Sequence, residues 1–95
     1  MKCVVVFCHA VAQDLVCDVL ERQGCRHYVG VGRAFARDDD ERRFDSRYHP
    51  GADVVVMAFV QAERVADVTA AIRATSTGEG HAHVRIAVLP VDQFA

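Results

Sequence analysis

Two short, almost continuously apolar segments, each followed by an amphipathic helical pattern, place the strongest constraint on the fold of this chain. Residues 2–8 and 53–60 are rich in β-branched and aromatic side chains, which is typical of strands buried on both faces. Residues 9–23 and 61–75 then repeat apolar side chains at helical spacing. The positions predicted to face inward are Val11, Leu15, Val16, Val19 and Leu20 in the first helix, and Val65, Val68, Ala71 and Ile72 in the second.

Two further strands complete the pattern. Gly24 is a natural stop for the first helix, and residues 26–35 follow as a strand in which Gly30 and Gly32 indicate a bend or a close approach of another group. Residues 84–89 form the last predicted strand, which ends at Pro90.

The resulting order of elements predicts an α+β, ferredoxin-like βαββαβ fold. Such a chain forms a four-stranded antiparallel sheet with both helices on one face. The other face is left without a cover although its strands are apolar. We therefore expect several copies of the chain to bury this face against one another.

Length and composition are consistent with one globular domain over residues 1–95. The chain is 52% hydrophobic and 25% charged, with a formal net charge of −2. This charge gives no reason to expect a nucleic acid or an anionic membrane as a partner. We find no secretory signal and no membrane-spanning stretch, so we expect a cytoplasmic protein with reduced cysteines.

The segment between the second and third strands has a composition of its own. Over residues 33–47 five arginines accompany five acidic residues, and almost no side chain is suited to a core. We predict a long exposed loop here, and loops of this length are often functional.

The last third of the chain resembles the PII signal-transduction family, the nitrogen regulatory PII proteins. The resemblance is carried by an amphipathic helix, the turn Thr77-Gly78-Glu79-Gly80, and a closing strand with Arg85 followed by Val88-Leu89-Pro90-Val91. The predicted topology matches over nearly the whole chain, with the long loop where PII proteins carry their T-loop.

This resemblance implies a homotrimer that binds a ligand in clefts between subunits. A mobile loop, here residues 33–50, would report the bound state to a partner, such as a membrane transporter or an enzyme. Arg85 lies where the family has a phosphate-contacting lysine, whereas His81-Ala82-His83 replaces the family's glycine-rich turn. An adenine nucleotide is the ligand that the resemblance suggests. The CutA family shares the trimeric architecture and is associated with divalent metals, so it is a second resemblance.

Six residues are candidates for binding an anionic ligand. Guanidinium groups bind phosphate or carboxylate with two hydrogen bonds, and glycines let a backbone approach a ligand closely. His49 is held at the loop base by the proline that follows it. The set is Arg33, Arg47, His49, Gly78, Gly80 and Arg85. For Arg33 and Arg47 the alternative is that they form ion pairs with the acidic residues of the loop.

A metal site is the alternative function. His81 and His83 alternate, so on a strand both imidazoles would point to one face, and Cys8 and His9 end the first strand. A mixed set of this kind suits copper or zinc, although ordinary surface histidines would give the same pattern.

The remaining cysteines and the motifs add two expectations. Cys3 and Cys17 are predicted to lie in the core, and Cys8 and Cys25, near element ends, are predicted to be more accessible. No nucleophile elbow, phosphate loop or zinc-protease motif is present, so we do not expect an enzyme.

Overall fold

The computed structural model describes residues 1–34, 36–38, 41–43, 53–75 and 84–95, and at 36–38 and 41–43 the backbone alone. Within these residues the chain forms six strands and two α-helices. They are β1 (Lys2–His9), α1 (Gln13–Arg22), β2 (Tyr28–Ala34), β3 (Ala36–Asp38), β4 (Glu41–Arg43), β5 (Asp53–Val60), α2 (Val65–Thr75) and β6 (Arg85–Pro90). Single 3₁₀ turns, Ala10–Ala12 and Ala62–Arg64, precede the two helices.

The main sheet has the strand order β2-β5-β1-β6, and every neighbouring pair is antiparallel. The α+β, ferredoxin-like prediction is therefore confirmed. Pro90 pairs with Lys2 on the edge strand β6, where a missing N–H is tolerated. Among the described residues, no helix has the length and apolar character needed to cross a bilayer.

The core lies between the helices and one face of the sheet. Alternate residues of β1 and β5 point into it because side chains alternate across a strand. Both helices contribute apolar side chains from their inner faces. The core members from these four elements are Val4, Val6, Cys8, Val16, Val19, Leu20, Val54, Val56, Ala58, Val60, Val68 and Ile72.

The predicted inward face of α1 is only partly correct. Val16, Val19 and Leu20 are buried as predicted, but Val11 and Leu15 are 62% and 39% exposed. Val11 lies in a 3₁₀ turn, residues 10–12, and not in the α-helix, so α-helical spacing does not apply to it. Leu15 lies at the edge of the face that Val16, Val19 and Leu20 bury. In α2, Val68 and Ile72 are buried and the other two predicted positions are partly buried, which confirms that prediction.

The segment after β2 is not wholly a loop, contrary to the prediction. Its first part contains a second, two-stranded antiparallel sheet in which β3 pairs with β4. Two strands of three residues can pair through backbone hydrogen bonds alone, so a composition without core-forming side chains does not exclude them.

The face of the main sheet that the helices leave uncovered is almost entirely apolar. Strand register places four side chains in each of its two central rows: Val31, Val55, Phe7 and Arg85 in one, and Val29, Met57, Val5 and Ala87 in the other. Cys3, Phe59 and Leu89 form a third row. We call these eleven residues the open face. Only Arg85 among them is not apolar, and Val29 and Leu89 are 54% and 50% exposed.

Candidate functional site

The end of the sheet at which β1 finishes carries two of the predicted anion-binding residues. Arg85 begins β6 opposite Phe7 and is exposed. Arg33 lies in a β-bulge near the end of β2, where the register with β5 shifts between Val31 and Ala34. Its φ of 55° is the one positive φ among the described residues other than glycine. The bend predicted from the glycines of β2 is therefore found at this bulge.

These two arginines are far apart within one chain. They lie on opposite edge strands, β2 and β6, with β5 and β1 between them. Three strand spacings of about 4.8 Å separate them by roughly 14 Å. A pocket between two copies of the chain, with β2 of one copy beside β6 of another, is a shorter route to bringing both side chains to one ligand.

Of the four predicted metal ligands, Cys8 and His9 lie among the described residues. Cys8 is only 2% exposed and belongs to the core, so the prediction that it is accessible is wrong. Burial, with smaller contributions from Cys17 and Asp53, raises the pKa of its thiol from 9.0 to about 11, so the thiolate that a metal needs is disfavoured. The Nδ1 atom of His9 accepts a hydrogen bond from the Val11 N–H at 3.2 Å. No group of three or more potential ligands occurs among the described residues.

The other cysteines also differ in part from the prediction. Cys3 is buried as predicted, but Cys25 is buried rather than accessible and Cys17 is partly exposed. The position of a cysteine near the end of an element therefore did not indicate its exposure. Arg47, His49, Gly78, Gly80, His81 and His83 lie outside the described residues, so their assignments stay predictions.

The opposite end of the sheet, where β1 begins, holds a cavity that the sequence did not indicate. Its volume is about 220 Å³. The connection between α1 and β2, the end of β5, the 3₁₀ turn that follows β5 and the first turn of α2 all contribute to its walls. The lining residues are Met1, Gln23, Gly24, Cys25, Arg26, His27, Phe59, Val60, Gln61, Arg64 and Val68.

The chain reaches this cavity through a tight turn after α1. Gly24 has a φ of 80°, a conformation that glycine adopts readily and other residues rarely adopt. The Cys25 N–H donates to the Leu20 carbonyl and the Gly24 N–H donates to the Glu21 carbonyl, which together make a Schellman motif. The predicted helix stop is confirmed, and the turn directs residues 25–27 along the cavity.

Arg64 lines the cavity from the side of α2. Its guanidinium donates to the Gln23 carbonyl at 3.2 Å, to Gln23 Oε1 at 2.9 Å and to Asp67 Oδ2 at 2.8 Å. The contact joins the start of α2 to the C-terminal end of α1, where a cation is favoured by the helix dipole. The guanidinium is therefore fixed beside the cavity before any ligand arrives.

The charge around this cavity favours an anion. Arg26 and Arg64 supply positive charge, of which that of Arg64 is partly balanced by its contact with Asp67, and none of the described lining residues is acidic. Burial raises the pKa of the Cys25 thiol, and the nearby Arg64 partly offsets this rise. Cys25 is therefore a neutral wall group, and the arginines are the groups that would contact a ligand.

A second concavity, between α1 and β2, has the opposite character. Asp14, Asp18 and Glu21 lie along it together with Cys17 and Tyr28. The Tyr28 hydroxyl donates to Glu21 Oε2 at 3.0 Å, and this hydrogen bond raises the pKa of the phenol to about 12. Three carboxylates disfavour an anion here, so the cavity beside Arg64 is the better candidate of the two.

Comparisons with known proteins identify the fold. No protein-family model matches this sequence, and no curated protein matches it. The structure of CPII from Thiomonas intermedia K12, a nitrogen regulatory PII-like protein bound to ADP, AMP and bicarbonate, matches with a TM-score of 0.73 and 16% identity. The match covers 93% of this chain and 88% of that chain. This chain has the PII-like fold.

Two further structures agree with this assignment. The apo form of CPII matches with a TM-score of 0.67 and 19% identity over 95% of this chain and 89% of that chain. A Thermus thermophilus protein, classified provisionally as PII-like signalling, matches with a TM-score of 0.60 and 16% identity over 92% and 80% of the two chains. The resemblance predicted from the closing strand is confirmed, and at these identities it concerns the fold.

Proposed function

We propose that this chain is a PII-like regulatory protein that binds a small anionic ligand, an adenine nucleotide or bicarbonate, and that it is not an enzyme. The observation that carries the proposal is the cavity lined by Arg26 and Arg64 without an acidic residue among its described walls. The ligands named for CPII, which are ADP, AMP and bicarbonate, are all anions and support this choice.

The proposed active form is a homotrimer whose copies share the ligand clefts. A volume of about 220 Å³ is below the range of about 300–1,000 Å³ in which small-molecule sites usually fall. A nucleotide would therefore need additional walls. The apolar open face supports burial against other copies, and sheets that meet edge to edge would bring Arg33 of one copy near Arg85 of another.

Signalling is the second part of the proposal. The segment 33–50 begins at the β-bulge that contains Arg33, so its base is attached to the edge of the sheet. We propose that ligand binding changes the arrangement of this segment and thereby its contact with a partner protein, a membrane transporter or an enzyme. The net charge of −2 gives no support for a nucleic acid as that partner.

Ligand binding can be tested by titration calorimetry with AMP, ADP and bicarbonate. Arg26→Gln removes one exposed cation from the cavity, and Arg22→Gln removes an exposed cation from the end of α1 without touching it. A unit charge at about 4 Å in water contributes about 1 kcal/mol, so Arg26→Gln should weaken AMP binding about fivefold. Arg22→Gln should leave it unchanged. No binding of any of the three ligands, or equal losses in both variants, would refute the proposed site.

Self-assembly has a separate test. Val29→Glu places a carboxylate on the open face, at a side chain that is 54% exposed. Val11→Glu places one on the helical side of the sheet, at a valine that is 62% exposed. Sedimentation should show a trimer for the wild type and for Val11→Glu, and a smaller species for Val29→Glu. A wild-type monomer at micromolar concentration would contradict the trimer.

A further inference from the structure

The C-terminal segment crosses the cavity end of the molecule and contacts three of its lining residues. The Val91 N–H donates to the Met1 carbonyl at 3.3 Å. The ring of Phe94 stacks on the ring of Phe59, with centroids 4.6 Å apart and planes at 23°. The same ring meets His27 edge to face, with centroids 5.4 Å apart and planes at 85°. We call residues 91–95 the C-terminal strap.

The three contacted residues come from distant parts of the sequence. Met1 precedes β1, His27 precedes β2, and Phe59 is near the end of β5. The Phe59 N–H also donates to the His27 carbonyl at 3.0 Å, which joins the two backbones but does not itself set the side-chain torsion angles. The ring of Phe94 contacts both side chains on top of this backbone link.

Phe94 does not itself line the cavity. It is 46% exposed, and its position in the strap is maintained by contacts with the wall residues rather than by burial in the core. Any effect of Phe94 on a ligand would thus be exerted through His27 and Phe59.

We propose that Phe94 is a positioning residue for the anion cavity. The C-terminal strap closes the wall formed by His27 and Phe59, and loss of the Phe94 ring lets this wall open. This inference rests on the proposed function for its effect on a ligand, but the effect on the wall is independent of any ligand.

Two measurements test the proposal, and one of them needs no ligand. Cys25 lines the cavity and is 8% exposed, so its rate of alkylation by a maleimide, followed by peptide mass spectrometry, reports opening of the wall. Binding of AMP, followed by titration calorimetry, reports the competence of the site. Both are made on the chain of 95 residues.

Three variants separate the ring from the rest of the strap. Phe94→Ala removes the ring, Phe94→Tyr retains it, and Gln93→Ala changes an exposed neighbour that makes no ring contact. Loss of one aromatic pair changes the equilibrium constant of the state that the pair stabilises by about 2- to 12-fold. Phe94→Ala should therefore speed Cys25 alkylation and weaken AMP binding by a factor in this range. Phe94→Tyr should restore both, and Gln93→Ala should change neither.

The outcomes distinguish this proposal from the proposed function. If the wild type does not bind AMP but Phe94→Ala still speeds Cys25 alkylation, the strap holds the wall and the ligand assignment fails. If Phe94→Ala leaves the alkylation rate of Cys25 at the wild-type value, the positioning role is overturned whatever happens to AMP. Equal effects of Phe94→Ala and Gln93→Ala would also overturn it, since the ring would not be the cause.

Discussion

The turn at Gly24 allows a prediction that isolates backbone conformation from side-chain contact. We expect Gly24→Ala to destabilise the protein, because φ at this position is 80° and an L side chain is strained there. A Cβ atom added at Gly24 meets nothing within 4 Å, so no steric clash contributes. The measured change therefore reports the backbone alone.

The magnitude follows from two opposing terms. The left-handed conformation costs a residue other than glycine about 1–2 kcal/mol. Replacing glycine also reduces the conformational entropy of the unfolded chain, which stabilises the native state by about 0.4–1 kcal/mol. The net loss is therefore between about 0 and 1.6 kcal/mol, with a central value of about 0.8 kcal/mol. In a domain of this size, 1 kcal/mol corresponds to a fall in Tm of about 4–8 °C.

Gly30→Ala is the matched control. An added Cβ atom at Gly30 also meets nothing within 4 Å, but its φ is not positive and it lies in a strand. We expect this variant to be neutral or more stable by up to about 1 kcal/mol. Urea denaturation at one fixed protein concentration measures both variants, since an oligomer's stability depends on concentration. Equal effects of the two substitutions, or a Gly24→Ala variant more stable than the wild type, would refute the reasoning.

Two further perturbations concern Arg64 and Cys8. Arg64→Ala removes the hydrogen bonds to Gln23 and the ion pair with Asp67. Because the Arg64 side chain is partly exposed, this substitution should lower the free energy of unfolding by about 1–2 kcal/mol in urea denaturation. Asp67→Ala removes only the exposed ion pair and should lower the free energy of unfolding by less than about 1 kcal/mol. The Cys8 thiol has a pKa of about 11 in the folded state, above the ordinary value of 9.0 that applies when the chain is unfolded. The stability that depends on the neutral thiol is therefore fully present below pH 9. It is lost as the pH rises toward 11, because the unfolded chain loses this proton first. Urea midpoints measured from pH 8 to 11 should therefore fall more steeply for the wild type than for Cys8→Ala, and parallel curves would contradict this assignment.

The sequence predicted the features that depend on neighbouring residues. The strands over residues 2–8 and 53–60 and the stop at Gly24 were all located correctly, because periodicity and helix termination are local. The inward assignment of Val11 was wrong because the 3₁₀ turn before α1 carries no distinct sequence signal. The assignment of Leu15 was wrong because this residue lies at the edge of the buried face of α1. The short hairpin of β3 and β4 was missed for a similar reason, because backbone pairing does not require apolar side chains.

The candidate site depended on contacts that sequence reasoning could not supply. Arg26 and Arg64 look like other surface arginines along the chain. What distinguishes Arg64 is its contact with Gln23 at the end of another helix, which only the packing of α1 against α2 determines. The resemblance directed attention instead to Arg85, and the anion-binding chemistry of guanidinium groups to Arg33; the sheet order places these two residues on opposite edges.

The central position of β1 in the sheet has a consequence for how the protein is made. β1 is translated before the other elements described, yet its two neighbours, β5 and β6, come from the second half of these residues. Val4 pairs with Ala58 on one side and with Val88 on the other, so the sheet cannot close until β6 has emerged from the ribosome. Until then an apolar segment with high β propensity has no native partner, which is the condition under which nascent chains aggregate. Expression yield should therefore respond more to chaperones that shield the N-terminal segment of the nascent chain than to additives that stabilise the folded protein.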